Sequence, residues 1–413
     1  MRLPAFALAS LLMCAVDAYA QTAALPPPEL PAVVNAVEVN GLWRTRPFVV
    51  PRELPWKPGE VVTPEAWVLG VQRVWNLGIF SRVTSHLEQR GDQRVAVFDL
   101  EERWTVNLLF RPSTGGGISQ LQVGLYDIST LGRYIETGGF YQRLGQFNGG
   151  QLWINQPRLF DRRLQGMLTV DDTARPRLTY ANARAHVQLD LIHEQRDDLH
   201  FGGRVEFMAD HSLALPGASS DQLLPPDSKT LSVGAVLKLG IIDTIRIRQT
   251  GASLELRPSI NLTTAPGQPV FGRFWAEALW FRMAGERWNF AVRGQVGAMT
   301  AGLDPQHFFL GGLDLIRGFE DNAVNTRLYA LANVEVRFIA FDSTWVAFQP
   351  AVFLDGEVDR EEAPHSARGL ASTGIGIRML CPRLVHSGLR IDMAVPLTPV
   401  TRPRLSAGVF QFF

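Results

Sequence analysis

The chain has 413 residues, and 40 Lys+Arg balance 40 Asp+Glu, so the formal net charge is zero. That balance argues against a nucleic-acid binder, which carries a basic surplus on at least one domain. With 24 Phe, 10 Trp and 46% hydrophobic residues, disorder over most of the chain is excluded, and beyond the N-terminus no run of about 18 uncharged apolar residues marks a membrane helix.

Residues 1–20 read as a secretory signal peptide. Arg2 supplies the positive start, residues 3–16 are apolar, and Ala18-Tyr19-Ala20 is an A-x-A cleavage site before Gln21. The apolar stretch is too short to cross a bilayer as a helix. Cys14 after Leu11-Leu12-Met13 gives a lipoprotein signal as a second reading, which Met13 weakens. Cleavage leaves Cys381 alone, so no internal disulfide or cysteine metal cluster is expected. A secreted chain of this kind fits a bacterial envelope protein. Residues 21–32, with Pro26-Pro27-Pro28 and Pro31, read as an extended linker.

Residues 33–104 read as a small α+β domain. A β-branched strand over 33–39 ends at Asn40-Gly41. A helix is predicted over 64–77, with Trp67, Val71, Val74 and Trp75 on one face, Thr63 as N-cap, Pro64 first and Gly78 as the stop. Residues 83–89 and 95–101 alternate about an Arg90-Gly91-Asp92 turn. Residues 46–54 are an earlier helical candidate, which Pro51 opposes.

This order, with Val37-Glu38-Val39-Asn40-Gly41, Arg52-Glu53-Leu54, Gly59 and Leu77-Gly78-Ile79-Phe80-Ser81-Arg82-Val83, resembles a single POTRA (polypeptide-transport-associated) domain. The resemblance singles out Gly41, Gly59, Gly78 and Phe80. It implies an exposed strand edge and helix groove that take extended polypeptide by strand addition. A spacer that binds nothing fits the same residues.

Residues 105–413 offer short alternating stretches and no convincing helix. Sixteen strands are predicted, at 105–111, 121–127, 134–142, 151–155, 166–170, 186–192, 205–207, 232–238, 253–256, 274–280, 290–296, 328–338, 346–354, 372–379, 389–394 and 405–413. Bacterial barrels use even strand numbers and about 9–11 residues per crossing. The expected fold is mostly β: a 16-stranded antiparallel transmembrane β-barrel behind one α+β domain. Alternation of apolar residues with Gly, Ser, Arg, Gln and Glu suits a lipid-facing wall around a polar lumen. A soluble sandwich alternates as well, so the choice rests on the signal peptide, the aromatics and the terminus. Over 328–338, Asn333, Glu335 and Arg337 fall on one face, and Leu331, Val334, Val336 and Phe338 are assigned mostly to the other. The ending Gly408, Phe410, Phe412, Phe413 resembles the assembly signal of outer-membrane barrels, from which Gln411 departs. If strand one rises from the periplasm, the longest connections, 210–229 and 300–327, face outside.

The second of these carries Phe309-Leu310-Gly311-Gly312-Leu313-Asp314-Leu315-Ile316-Arg317-Gly318-Phe319, which resembles the V/I-R-G-F/Y loop of the BamA/TamA outer-membrane assembly superfamily. Glu335-Val336-Arg337, Val352-Phe353-Leu354-Asp355-Gly356-Glu357-Val358, Gly374-Ile375-Gly376-Ile377-Arg378 and Leu389-Arg390-Ile391-Asp392 to Pro396-Leu397 follow in that family's order. A long loop folded into the lumen would desolvate Arg317, which then needs carboxylates in fork geometry. The resemblance points to Glu335 and Asp355 as those partners, with Gly318 allowing a tight turn and Phe319 packing on the wall. A solvated loop arginine is the plainer alternative.

No G-x-S-x-G motif occurs, and His193-Glu194 is followed by Asp197 where a zinc protease motif needs His. No catalytic residue, metal ligand or cofactor is therefore expected. The resemblance implies help with insertion of outer-membrane proteins or with polypeptide translocation, through a weak seam between strand one (105–112) and strand sixteen (405–413). It places a monomeric barrel in the outer membrane of a Gram-negative bacterium, with the POTRA domain in the periplasm. The implied partners are the lipid bilayer and client polypeptides, with room for a periplasmic accessory protein. A passive pore or lipid-surface transport protein on the same scaffold is the alternative. Two-partner secretion pores fit less well, since they carry two POTRA domains and a plug helix.

Overall fold

The computed structural model describes residues 26–409, except 178, 216–222, 246, 266, 268, 313, 344–345, 361–366, 381–387 and 399–400. The chain divides into two units, Met1–Trp104 and Thr105–Phe413. The predicted signal peptide, Cys381, Phe410 and Phe413 lie outside the described residues.

In the first unit, β1 (Ala36–Asn40), β2 (Phe80–Arg90) and β3 (Gln93–Glu102) form one sheet, with β3 central, parallel to β1 and antiparallel to β2. Helix α1 (Pro64–Asn76) buries Trp67, Val71 and Val74 of the predicted face, while the fourth, Trp75, is only partly covered. Trp67 stacks between Trp56 and Phe98 at centroid distances of 6.2 and 6.0 Å. Its indole N–H donates to Ser85 Oγ at 3.1 Å, so the buried ring leaves no polar atom stranded. Thr63 caps the helix by accepting from the Ala66 N–H at 3.2 Å. In the first turn, the Glu65 backbone N–H and the Thr63 hydroxyl hold the Glu65 carboxyl below its ordinary range.

Two sequence expectations give way here. Residues 46–54 form two 3-10 turns, Pro47–Val49 and Pro51–Glu53, because Pro51 has no N–H with which to continue a helical ladder. The strand expected over 33–39 is broken. Ala32 and Val33 pair with Val62 and Val61, while β1 begins at Ala36 on β3. The end of the proline-rich segment is therefore packed into this unit, with Leu30 and Ala32 buried.

The second unit is one closed antiparallel sheet. Its first eleven strands are β4 (Val106–Gly115), β5 (Ile118–Asp127), β6 (Glu136–Leu144), β7 (Phe147–Gln156), β8 (Leu164–Pro176), β9 (Tyr180–Arg196), β10 (Leu199–Ala214), β11 (Ser228–Ile245), β12 (Arg248–Thr263), β13 (Val270–Ala284) and β14 (Trp288–Met299). A small separate hairpin, β15 (Phe308–Leu310) and β16 (Val324–Thr326), follows within the next connection. The ring is completed by β17 (Leu328–Phe338), β18 (Ala347–Arg360), β19 (Ala367–Leu380), β20 (Gly388–Pro396) and β21 (Arg404–Val409). These are the sixteen wall strands that the sequence predicts, but several run further. β11 has 18 residues and β9 has 17, against the roughly 9–11 that cross a bilayer. Beyond that span both faces meet polar surroundings, so the apolar alternation that marks the strand fades.

Side chains sort by parity. Leu152, Val170, Phe207, Val233, Val352 and Ile375 are exposed on the outer face, while Asn333, Glu335, Asp355, Arg378 and Asp392 are buried inside. A soluble sandwich would reverse this, so the wall is built for lipid. Leu331 is a correction: it is buried inside with Asn333 and Glu335, as the period of two requires, and not with the outward Val334.

The connections after odd-numbered wall strands share one end of the barrel, and the two longest, 215–227 and 300–327, are both there. The first is shorter than the expected 210–229, since Asp210 pairs with Ser228 and Ala209 with Lys229 in the β10–β11 ladder.

Candidate functional site

The connection 300–327 turns back into the lumen. An apolar cluster of Phe308, Leu310, Ile316, Tyr329 and Leu331 seats it on the wall, and Leu315, Phe319 and Val324 pack against that cluster. Leu331 therefore has a reason to face inward: it is wall surface for the loop. Gly318 has φ +88°, and a Cβ there would lie 3.1 Å from the Ala394 side chain, so both backbone and space favour glycine.

Arg317 is 2% exposed. Its Nε and Nη2 donate to the two Asp355 carboxylate oxygens at 2.7 and 2.6 Å, which is the bidentate fork. Its Nη1 donates to Glu335 Oε2 at 2.9 Å, and its backbone N–H also reaches Asp355 at 3.1 Å. The guanidinium carbon lies 3.5 Å from the centroid of the Phe353 ring. Glu335 and Asp355 stand on adjacent strands, with Glu335 opposite Phe353 and Asn333 opposite Asp355. Two carboxylates and one ring thus converge from one face of β17 and β18.

The cluster is larger than the sequence reading assigned. Arg378 on β19 donates to Glu335 at 2.8 Å and to Asp392 on β20 at 2.6 Å. Arg337 donates to Glu335 at 2.8 Å and to Gln249 at 2.7 Å. Arg390 pairs with Asp392, and Asn333 donates to Asp355 at 2.9 Å and to the Leu315 carbonyl at 2.7 Å. All four guanidiniums and three carboxylates are buried. The additional members were visible as Glu335/Arg337 and Arg390/Asp392, opposite charges two apart on one strand face. Nothing in the sequence said that four strands would present them to one loop.

The loop also holds the opposite wall. Tyr180 Oη donates to Asp304 at 2.7 Å, Arg184 to the Pro305 carbonyl at 2.9 Å, and Gln306 to Thr230 at 2.8 Å. Arg177 donates to Asn322 at 2.7 Å and stacks on Phe309 with 3.6 Å to the ring centroid. No motif announces these contacts. The loop therefore crosses the lumen and is fastened on both sides.

The remaining predicted residues fall elsewhere. Gly408 is paired with Ser113 across the junction of β21 and β4, beside the pair Ala407 and Thr114. In the first unit, Phe80 is buried, and a Cβ at Gly41 (φ +80°) would collide with the Leu100 carbonyl oxygen. Gly59 and Gly78 occupy left-handed turns with open space around them. Among the described residues, no group of three or more His, Cys, Asp or Glu is placed to hold a metal.

Fold and site together define a sixteen-stranded transmembrane β-barrel whose lumen is crossed by a loop, with the loop's arginine ion-paired to the wall. The chain belongs to the Omp85 superfamily, whose domain matches residues 171–413, more than half of its length. The fold is similar to that of BamA from Haemophilus ducreyi lacking POTRA domains 1–3, at 15% identity and TM-score 0.66, covering 91% of this chain and 84% of that one. It is also similar to CdiB from Escherichia coli, at 14% identity and TM-score 0.66, covering 92% of this chain and 76% of that one. CdiB from Acinetobacter baumannii matches at 12% identity and TM-score 0.63, covering 91% and 73%. Among curated proteins none matches this sequence.

Proposed function

We propose that this protein sits in the outer membrane of a Gram-negative bacterium and assists insertion of outer-membrane proteins or translocation of polypeptide. In this reading the first unit is a periplasmic POTRA domain that receives the client, and the junction of β21 with β4 opens to pass it on. No catalytic group, nucleotide or cofactor takes part. The partners are lipid and client polypeptide.

The junction is the observation that carries the reading. β21 is paired with β20 from Arg404 to Val409, yet among the described residues it meets β4 only at Ala407–Thr114 and Gly408–Ser113. Pro112, next to these pairs, has no N–H to donate, a residue that sheets tolerate at edges. A parted seam exposes strand edges to which an extended client strand can add. In the first unit, β2 is an outer strand of its sheet and offers a similar edge. The passive-pore alternative has less support, because the loop fastened across the lumen obstructs it.

The test is a disulfide between Ser113→Cys and Gly408→Cys, which face each other across the seam. Oxidised protein in proteoliposomes should lose client insertion or translocation and regain it on reduction. Full activity in the locked form would favour the pore.

A further inference from the structure

The loop 300–327 touches the seam as well as the lumen walls. The two residues after Phe319 reach the two seam strands from one place. The Asp321 N–H donates to the Gly116 carbonyl at 2.9 Å, in the turn directly after β4. The Glu320 carboxylate meets Arg404, the first residue of β21, at 3.4 Å. Gly116 has φ +60°, and a Cβ on it would lie 2.6 Å from the Asp321 nitrogen and 2.9 Å from Gly312 Cα. The turn is thus shaped to the loop. The seam pairs at Ser113 and Thr114 lie within three residues of Gly116.

We propose that Glu320 and Asp321 form a clasp that holds this end of the seam shut, and that the Arg317 anchor keeps the clasp in place. Release of the loop and parting of the seam are then one event. The proposal rests on the reading of the seam as the point of opening. Neither clasp contact is strong alone. The Glu320–Arg404 pair is exposed on both sides, at 59% and 43%, and such pairs contribute little; the other contact is a single backbone hydrogen bond. Their holding power comes from the anchor three residues upstream. Three residues span at most about 10 Å, so Glu320 cannot follow a moving seam while Arg317 stays bound to Asp355. Conversely, a client or partner that draws the loop out of the lumen removes both contacts together.

The experiment reads the seam directly. In the full-length protein in outer-membrane vesicles, the rate of disulfide formation between Ser113→Cys and Gly408→Cys reports seam closure. Gly116→Val should displace the loop from the turn and slow that rate several-fold. Arg317→Ala should do the same while making the loop protease-sensitive. Since Gly116→Val carries a risk of misfolding, exposed charges supply a second route: Glu320→Arg should slow the rate, and adding Arg404→Glu should restore it. An unchanged rate in Arg317→Ala whose loop is demonstrably cut overturns the clasp. So does a charge swap that changes nothing. Failure of the gating reading itself looks different: it appears as retained client activity in the locked seam, whatever the rates.

Discussion

Arg317 is the side chain on which most of the lumen arrangement converges. Four guanidiniums face three carboxylates with almost no solvent. Glu335 and Asp392 each meet several of them, and Asp355 takes the Arg317 fork, so removing Arg317 strips the buried Asp355 carboxylate of that fork. Removing one partner of such a group costs about 3–5 kcal/mol when burial is complete. For Arg317→Ala that cost should fall on the loop, because the strand ladders do not depend on it. The barrel should still show its folded, heat-modifiable band on gels, while residues 300–327 become sensitive to protease. Arg317→Lys should recover only part, since an ammonium has neither the fork that spans both Asp355 oxygens nor the planar stack on Phe353. Asp355→Ala or Glu335→Ala should give the same phenotype and add little to Arg317→Ala in a double-mutant cycle. Strict additivity would break the idea of one coupled unit. Arg378→Ala should belong to the same class, because Arg378 donates to both Glu335 and Asp392, the carboxylates that Arg317 also meets. Arg90 of the first unit is the contrast. Its pair with Glu38 is nearly half exposed, so Arg90→Ala should leave the unfolding midpoint of this unit almost unchanged.

Among secondary structures, α1 shows how local rules suffice. Thr63, Pro64 and the Trp67, Val71, Val74 face specify the start and the buried side without help from the rest of the chain. Thr63→Ala should destabilise this unit by about 1 kcal/mol, seen as faster amide exchange in the first turn of α1 and nowhere in the barrel. Equal loss across both units would mean that the cap is not acting locally. The lumen loop is the opposite case. Its hairpin β15–β16 is too short to stand alone, and it is ordered by wall contacts from Tyr180 to Asp392 that lie far apart in sequence. Sequence reading marked Arg317, Glu335 and Asp355 through neighbouring motifs, but passed over Tyr180, Arg177 and Thr230, whose partners exist only once the ring has closed.

The barrel as a body depends on an apolar exterior. Leu354 points outward at the middle of β18, one residue from the lumen-facing Asp355. Leu354→Arg should cost about 2–4 kcal/mol at the membrane midplane, measured as a lower denaturant midpoint in lipid vesicles. An unchanged midpoint would argue that this face does not meet lipid. Orientation is testable on whole cells. Protease added outside should cut within 215–227, where Leu223 is 96% exposed, and should leave residues 83–89 intact. External labelling of 83–89 would invert the topology.

Period-two alternation, strand number and the placement of the long connections were legible in the sequence, because each is a local consequence of pleat and turn chemistry. So were the arginine loop and its two first carboxylates, through motifs with fixed order. Strand ends were not, since polar surroundings on both faces erase the alternation outside the membrane span. Leu331 shares the parity of Asn333 and Glu335, and only the loop that covers it explains an apolar residue on the lumen face. Ring closure decided the rest. It brought β4 beside β21, set Gly116 and Arg404 within reach of one loop, and stacked four strands so that their charges met at Arg317. Those are relations between residues up to some 300 positions apart, and their energies come from burial and pairing that no local segment contains.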